Sequence, residues 1–237
     1  MVEKGVRTII TTPHLDGSLT REPERLEDHL ATVDAAFATL RDATSSAHPT
    51  LSLQRGHEVK LDIPDPDLSD SRIRLGDSNF VLVEWPRLMI PPETPPVLAR
   101  LKAGGVRLLI AHPERYRGYD QELTVVGRWR EEGAFLQANF GSLTGRYGPV
   151  PKAIVFRLLA RGWVDCLATD FHGKPHLRLY VDSARETFER LGAGTPWSLL
   201  TQVNPGRISR GEEPFPVPPV EGGRRLVDRI RSFFRAG

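Results

Sequence analysis

The sequence predicts an α/β protein built on parallel strands, open or closed into a barrel. Three observations carry that expectation. Apolar runs of strand length, such as "VRTIITTPH", "NFVLVEWP" and "VRLLIAHP", recur along the chain. Helical patterns fall between them, and the strand–helix alternation favours a parallel sheet. Several of the apolar runs also finish on a histidine or a carboxylate. The 237 residues suffice for one substantial domain, and no repeat of fixed period divides them.

Taken in order, "VRTIITTPH" reads as a strand. "EPERLEDHLATVDAAFATLRDA" follows as an amphipathic helix with Leu26, Leu30, Val33 and Phe37 on one face. "LSLQRGHEV" and "NFVLVEWP" are further strands. "PPVLARLKAGG" is a helix stopped by glycines that feeds the strand "VRLLIAHP". "ELTVVGRWREEG" is the next helix, before the strand "AFLQANF". "PKAIVFRLLARG" is a helix with proline at its start, leading into "WVDCLATDFHG". Helices are expected again around Tyr180–Leu191 and Trp197–Val203. Residues 1–212 form the main domain in this reading, and 213–222 a Pro/Gly-rich extended linker. Residues 223–237 form a basic amphipathic helix packed on the domain through Leu226, Ile230 and Phe233.

Composition narrows the function classes. Thirty-two Lys and Arg oppose thirty Asp and Glu, a formal charge of +2, and no dense basic block offers a nucleic-acid footprint. The single cysteine, Cys166, excludes a disulfide framework and a cysteine-based zinc knuckle. No apolar run has the length of a membrane span and the N-terminus lacks a signal peptide pattern, so a cytoplasmic protein is expected. Self-association is left open.

The strand ends carry the chemistry. "TIITTPH" ends at His14, "LQRGHE" at His57 and Glu58, "FVLVE" at Glu84, "LLIAH" at His112 and "CLATDFH" at Asp170 and His172. In a parallel barrel such ends converge on one rim. Two glutamates and one aspartate among three histidines suit a multi-metal centre, since carboxylates can bridge cations that neutral imidazoles terminate. Strand alternation turns His57 away from Glu58. His29, His48 and His176 read as surface residues. Arg115, Arg146, Lys174 and Arg178 lie near these positions, and guanidinium groups match phosphoryl oxygens bidentately. Gly141, Gly145 and Gly148 would let the "GSLTGRYG" backbone pass close to a ligand. A thiolate that takes up a phosphoryl group needs an arginine six positions after the cysteine. His172 stands there.

"GVRTIITTPH", "GHEVKL", "VEWP", "AHPERY", "NFGSLTGRYG" and "ATDFHG" resemble, in order, the signature segments of the PHP-superfamily bacterial tyrosine-protein phosphatases of capsule and exopolysaccharide loci, the CpsB/YwqE type. The resemblance implies a distorted (β/α)7 barrel, a manganese-dependent centre of two or three ions and hydrolysis of phosphotyrosine by metal-activated hydroxide. It also implies a bacterial tyrosine kinase as the phosphotyrosine-bearing partner. Carried over by position, Glu58 bridges two metals, Glu84 and His112 complete the second, His14 and His172 hold the third, and Asp170 joins Glu58 on the first. Arg115, with Arg146 and Arg178, grips the phosphate.

Two departures stand out. Members of the family begin with an Asp-x-His-x-His strand, whereas His14 is the first histidine here. The expectation is therefore an N-terminally incomplete barrel lacking its first strand, with incomplete metal binding and weakened activity. Lys174 also stands where the family carries an arginine, which bears on Arg178. Two alternatives remain open: a PHP phosphoesterase for a small phosphate ester of the histidinol-phosphate type, and a degenerate, non-catalytic member that binds a kinase.

Overall fold

The structure, a computed structural model, describes residues 1–173 and 178–221. Lys174, His176 and the helix expected at 223–237 lie outside the described residues. The chain gathers into two units. One comprises Met1–Ala111, Arg117–Ala134 and Ile208–Glu212; the other comprises His112–Tyr116, Phe135–Arg207 and the segment beginning at Glu213.

The first unit holds six strands: β1 (Thr8–Thr11), β2 (His14–Asp16), β3 (Ser52–Arg55), β4 (Glu58–Lys60), β5 (Phe80–Glu84) and β6 (Arg107–Ala111). Every pairing among them is parallel. β1 lies beside β3, while β2, β4, β5 and β6 are neighbours in that order. The run "VRTIITTPH" is thus two strands, and His14 opens the second instead of closing the first. Pro13 has no N–H to give, so the ladder cannot continue through it. "LSLQRGHEV" breaks likewise at Gly56–His57, where a Cβ on Gly56 would come within 2.8 Å of the Arg74 carbonyl. Glu58 therefore opens β4.

All five residues of β5 are buried, which is why that strand reads as an unbroken apolar run and does not alternate. Helix α1 (Pro23–Ala47) starts with proline in its first turn, where a missing N–H costs nothing. Leu30 is its one fully buried side chain. His29, expected at the surface, is half-buried, with its ring 5.7 Å from that of His57. His57 is itself wholly buried and shares a hydrogen bond between Nδ1 and the Arg72 carbonyl. Burial pushes its imidazole pKa down to about 4. Helices α2 (Thr94–Ala103) and α3 (Thr124–Glu131) meet where the buried Trp129 indole donates to Thr94 Oγ1 at 2.8 Å. That bond satisfies the one polar atom of a side chain whose burial contributes about 2–3 kcal/mol.

In the second unit, β7 (Phe135–Asn139) and β8 (Cys166–Ala168) pair in parallel, Asn139 opposite Ala168. Between them run α4 (Phe140–Thr144) and α5 (Pro149–Leu159), the latter burying Ile154, Val155, Phe156, Leu158 and Leu159. After α6 (Val181–Arg190), the helix expected at 197–203 is instead α7 (Gly194–Ser198), a π-turn over Leu199–Val203 and α8 (Asn204–Ser209) in succession. Pro205 offers no N–H, so the regular ladder fails there and the turn widens. Residues 213–221, proline-rich, have no regular structure but are tied down. Asn204 bonds both the N–H and the carbonyl of Phe215, Arg207 stacks 4.0 Å over that ring, and Val220 N donates to Leu159 O.

Candidate metal centre

Three neighbouring strands set out the centre. Glu58 is the first residue of β4, Glu84 the last of β5, and His112 follows β6 directly. Parallel register sets Glu58 opposite Leu82, two residues before Glu84, and Val83 opposite Ile110, two residues before His112. All three are buried. Each offers one ligand atom, and those atoms lie within 4.8 Å of one another. Two carboxylates taken out of water side by side repel, and a cation between them removes that cost. On β2, His14 sits opposite Glu58, with Nδ1 3.5 Å from Glu84 Oε1. Donor types, spacing and burial fit a divalent cation held by Glu58, Glu84 and His112, with His14 beside it.

A second cluster lies within the second unit. Asp170 Oδ2 accepts from Arg115 Nη1 and from Asn139 Nδ2, each at 2.8 Å. His172 Nδ1 is 3.5 Å from Asp170 Oδ1 and 3.1 Å from the Asp170 carbonyl oxygen. Arg115 also lies over the Tyr147 ring, 4.4 Å from its centroid. Burial, aided by the charge of Asp170, holds the Tyr147 phenol above its ordinary pKa. Behind this cluster is Glu114, fully buried, whose Oε1 accepts from Asn139 N at 2.9 Å and Ser142 Oγ at 2.6 Å. Burial raises its carboxyl pKa, opposed by those two bonds. Glu114 thereby ties the short turn Pro113–Arg115 to the end of β7 and the start of α4.

Backbone strain marks the same residues. His112 has φ 34° and Asp170 φ 47°, both in the left-handed region that non-glycine residues avoid. Such strain costs about 1–3 kcal/mol each and collects at functional positions.

The remaining expected residues fall outside these clusters. Arg146 is exposed and donates to Tyr180 OH at 3.1 Å, with its guanidinium 5.6 Å from the centroids of both Tyr147 and Tyr180. Arg178 is exposed. Glu114, Asn139 and Tyr147 escaped the sequence reading. Asn139 had a signal, a polar residue closing an apolar strand, and so did Glu114, wedged between His112 and Arg115. Cys166 is buried in β8, and burial raises its thiol pKa far above the ordinary range, so no nucleophilic thiolate is at hand.

Parallel strands that bring two carboxylates and an imidazole together define an α/β protein with a candidate divalent-metal centre. The chain belongs to the CpsB/CapC family of capsular polysaccharide synthesis, whose model matches residues 1–209. It is 28% identical over 230 residues to the tyrosine-protein phosphatase YwqE of Bacillus subtilis, covering 95% of this chain and 87% of that one. To the putative tyrosine-protein phosphatase CapC of Staphylococcus aureus it is 24% identical over 171 residues, 71% of this chain and 65% of the other. A solved chain from the work on YwqE of Bacillus subtilis and CpsB of Streptococcus pneumoniae, metal-dependent tyrosine phosphatases, matches with a TM-score of 0.75. The identity is 25%, over 93% of this chain and 88% of that one.

Proposed function

We propose that this chain is a metal-dependent protein-tyrosine phosphatase acting in capsule or exopolysaccharide synthesis. The observation that carries the reading is the buried Glu58–Glu84–His112 cluster in a chain whose homologues are metal-dependent tyrosine phosphatases. In this reading Glu58, Glu84 and His112 hold one ion, and His14, Asp170 and His172 contribute to further sites, two or three ions in all, with manganese as the natural cation. A bound divalent cation supplies Lewis-acid charge and makes a water nucleophilic near neutral pH.

The protein's own groups do the positioning. Arg115 is a fixed cation, braced by Asp170 and the Tyr147 face, and presents its remaining N–H groups for a phosphoryl group. Arg146 and Arg178, both exposed, contact the phosphate or the peptide around it. Asn139 and Glu114 keep Asp170 in one orientation. A phenolate leaving group, with a conjugate-acid pKa near ~10, needs less protonation than an alkoxide. The partner is a phosphotyrosine-bearing bacterial kinase, and the reaction is cytoplasmic. The parallel, strand–helix order supports the distorted (β/α)7 barrel as the architecture behind the site.

The test is hydrolysis of a phosphotyrosine peptide with and without manganese, beside histidinol phosphate and a phosphoserine peptide. Manganese-dependent turnover that favours the phosphotyrosine peptide at least tenfold is expected. Turnover of histidinol phosphate in preference to the peptide, or none with any cation, overturns the reading.

A further inference from the structure

The glycine-rich loop after α4 places two side chains. Gly145, at φ +86°, closes α4, and Gly148, at φ +95°, starts the run into α5. Glycine takes such conformations without the cost that a side chain brings. Residues 146 and 147 thereby fold back on the helix. Arg146 N donates to Gly141 O at 3.0 Å, and a Cβ on Gly141 would come within 3.2 Å of Arg146 Cδ and of Tyr147 Cε2. The N–H groups of Gly145, Arg146 and Gly148 are all taken by carbonyls of residues 141–145. What the loop offers a ligand is therefore mainly its side chains.

Those side chains continue a row of alternating cations and rings. The Arg115 guanidinium lies 4.4 Å from the centroid of the Tyr147 ring, and that of Arg146 lies 5.6 Å from it. Arg146 is also 5.6 Å from the centroid of Tyr180 and donates to its hydroxyl at 3.1 Å. Tyr180 itself holds φ +58° directly before α6, a strained backbone of the kind that collects at functional positions. Two guanidinium groups close together repel, and the electron-rich face of a shared ring offsets that repulsion. Asp170 answers the charge of Arg115. Among the described residues no carboxylate answers that of Arg146, which stays available to an anion.

We propose that Tyr147 and Tyr180 are positioning residues that set Arg115 and Arg146 as a paired clamp for the two charges of a phosphate monoester. The proposal rests on the phosphatase reading above, and neither tyrosine acts on the reacting atoms. Tyr147 works through its ring, on both arginines. Tyr180 works through its hydroxyl, on Arg146 alone. A long, rotamer-rich side chain loses freedom when it grips a ligand, and a guanidinium already laid on a ring has less to lose.

Arginine Nε–H NMR spectra of the whole chain, recorded with magnesium as a diamagnetic divalent cation, test the clamp without turnover. The Arg115 signal should lie upfield under the Tyr147 ring. It should stay there in Tyr147→Phe and return to the ordinary range in Tyr147→Leu. Titration with inorganic phosphate should move the Arg115 and Arg146 signals together. Tyr147→Leu should weaken that binding at least fivefold, Tyr180→Phe about threefold, and Tyr147→Phe less than twofold. With manganese and a phosphotyrosine peptide, KM should rise in the same order while kcat changes less, the mark of lost binding in both ground and transition states. Loss of activity in a merely damaged fold would not be rescued by the ring of Tyr147→Phe. Equal effects of Tyr147→Phe and Tyr147→Leu overturn the proposal, as does phosphate binding that spares either arginine signal or is absent. If Tyr147→Leu does not fold, an unchanged phosphate affinity in Tyr180→Phe overturns it alone. Phosphate binding in the expected pattern by a chain that hydrolyses no phosphotyrosine overturns the phosphatase reading and supports the clamp.

Discussion

Glu114 should prove to be the buried tie of the second unit, and Glu114→Ala tests it. The substitution removes the acceptor of two buried bonds, from Asn139 N and Ser142 Oγ, and leaves both donors without water. Each stranded donor costs about 1–3 kcal/mol. The cavity left by the missing side chain adds about 1 kcal/mol. Relief from burying a carboxyl group, whose pKa burial raises, offsets part of that. The net loss should be roughly 2–4 kcal/mol, which for a chain of this size is a fall in Tm of roughly 5–15 °C. Glu114→Gln keeps a carbonyl oxygen for both donors and should stay within about 1 kcal/mol of the native protein. Urea unfolding followed by circular dichroism reads all three proteins, and a cycle with Ser142→Ala isolates one bond, expected at about 1 kcal/mol. If Glu114→Ala is as stable as the native chain, or Glu114→Gln is as damaged as Glu114→Ala, the tie does not exist.

Asn139→Ala releases Asp170 Oδ2 from one of its two close donors. It should weaken manganese binding about tenfold, the usual scale for a group that orients a ligand, as read by calorimetry. Asp70 caps the turn at Ser71–Ile73 and pairs with Arg72, which holds its carboxyl pKa below the ordinary value. Its contribution is therefore present above the unfolded pKa near ~4 and lost as pH falls through the lower folded value. Asp70→Asn should cost about 0.5–1.5 kcal/mol at pH 7 and far less at pH 3, measured as urea midpoints. Cys166, buried with its thiol pKa raised, should resist iodoacetamide in the native protein and react on unfolding. Stoichiometric native labelling, read by mass spectrometry, would contradict its placement.

What the sequence made legible follows from which signals are local. The runs at β5 and β6 read correctly because strands covered on both faces are continuously apolar, and β7 because its buried Leu136 and Ala138 alternate with less buried neighbours. Helices α2, α3 and α5 announced themselves through periodicity, glycine stops and an opening proline. The interruptions at Pro13 and Gly56–His57 were less visible, because apolar content runs across them and only the hydrogen-bond ladder stops. Glu84 and His112 could be picked out where apolar runs finish, and Glu58 was picked out in the same way although it opens β4. Their meeting depends on register between strands some 25 residues apart, which no local pattern states. His29 looked like a surface histidine beside Glu27 and Asp28, whereas its Nε2 is buried and its ring lies 5.7 Å from that of His57. Glu114 hid for a related reason. An acid beside proline and arginine resembles an ordinary loop charge until its two buried donors are seen.

Whether Glu58, Glu84 and His112 together hold a cation is decided by a manganese binding isotherm of the purified chain, set beside that of Glu84→Gln. Saturable binding of at least one ion per chain is predicted, weakened at least tenfold by Glu84→Gln while circular dichroism and Tm show the fold intact. An isotherm for Glu84→Gln that overlays that of the native chain would contradict it.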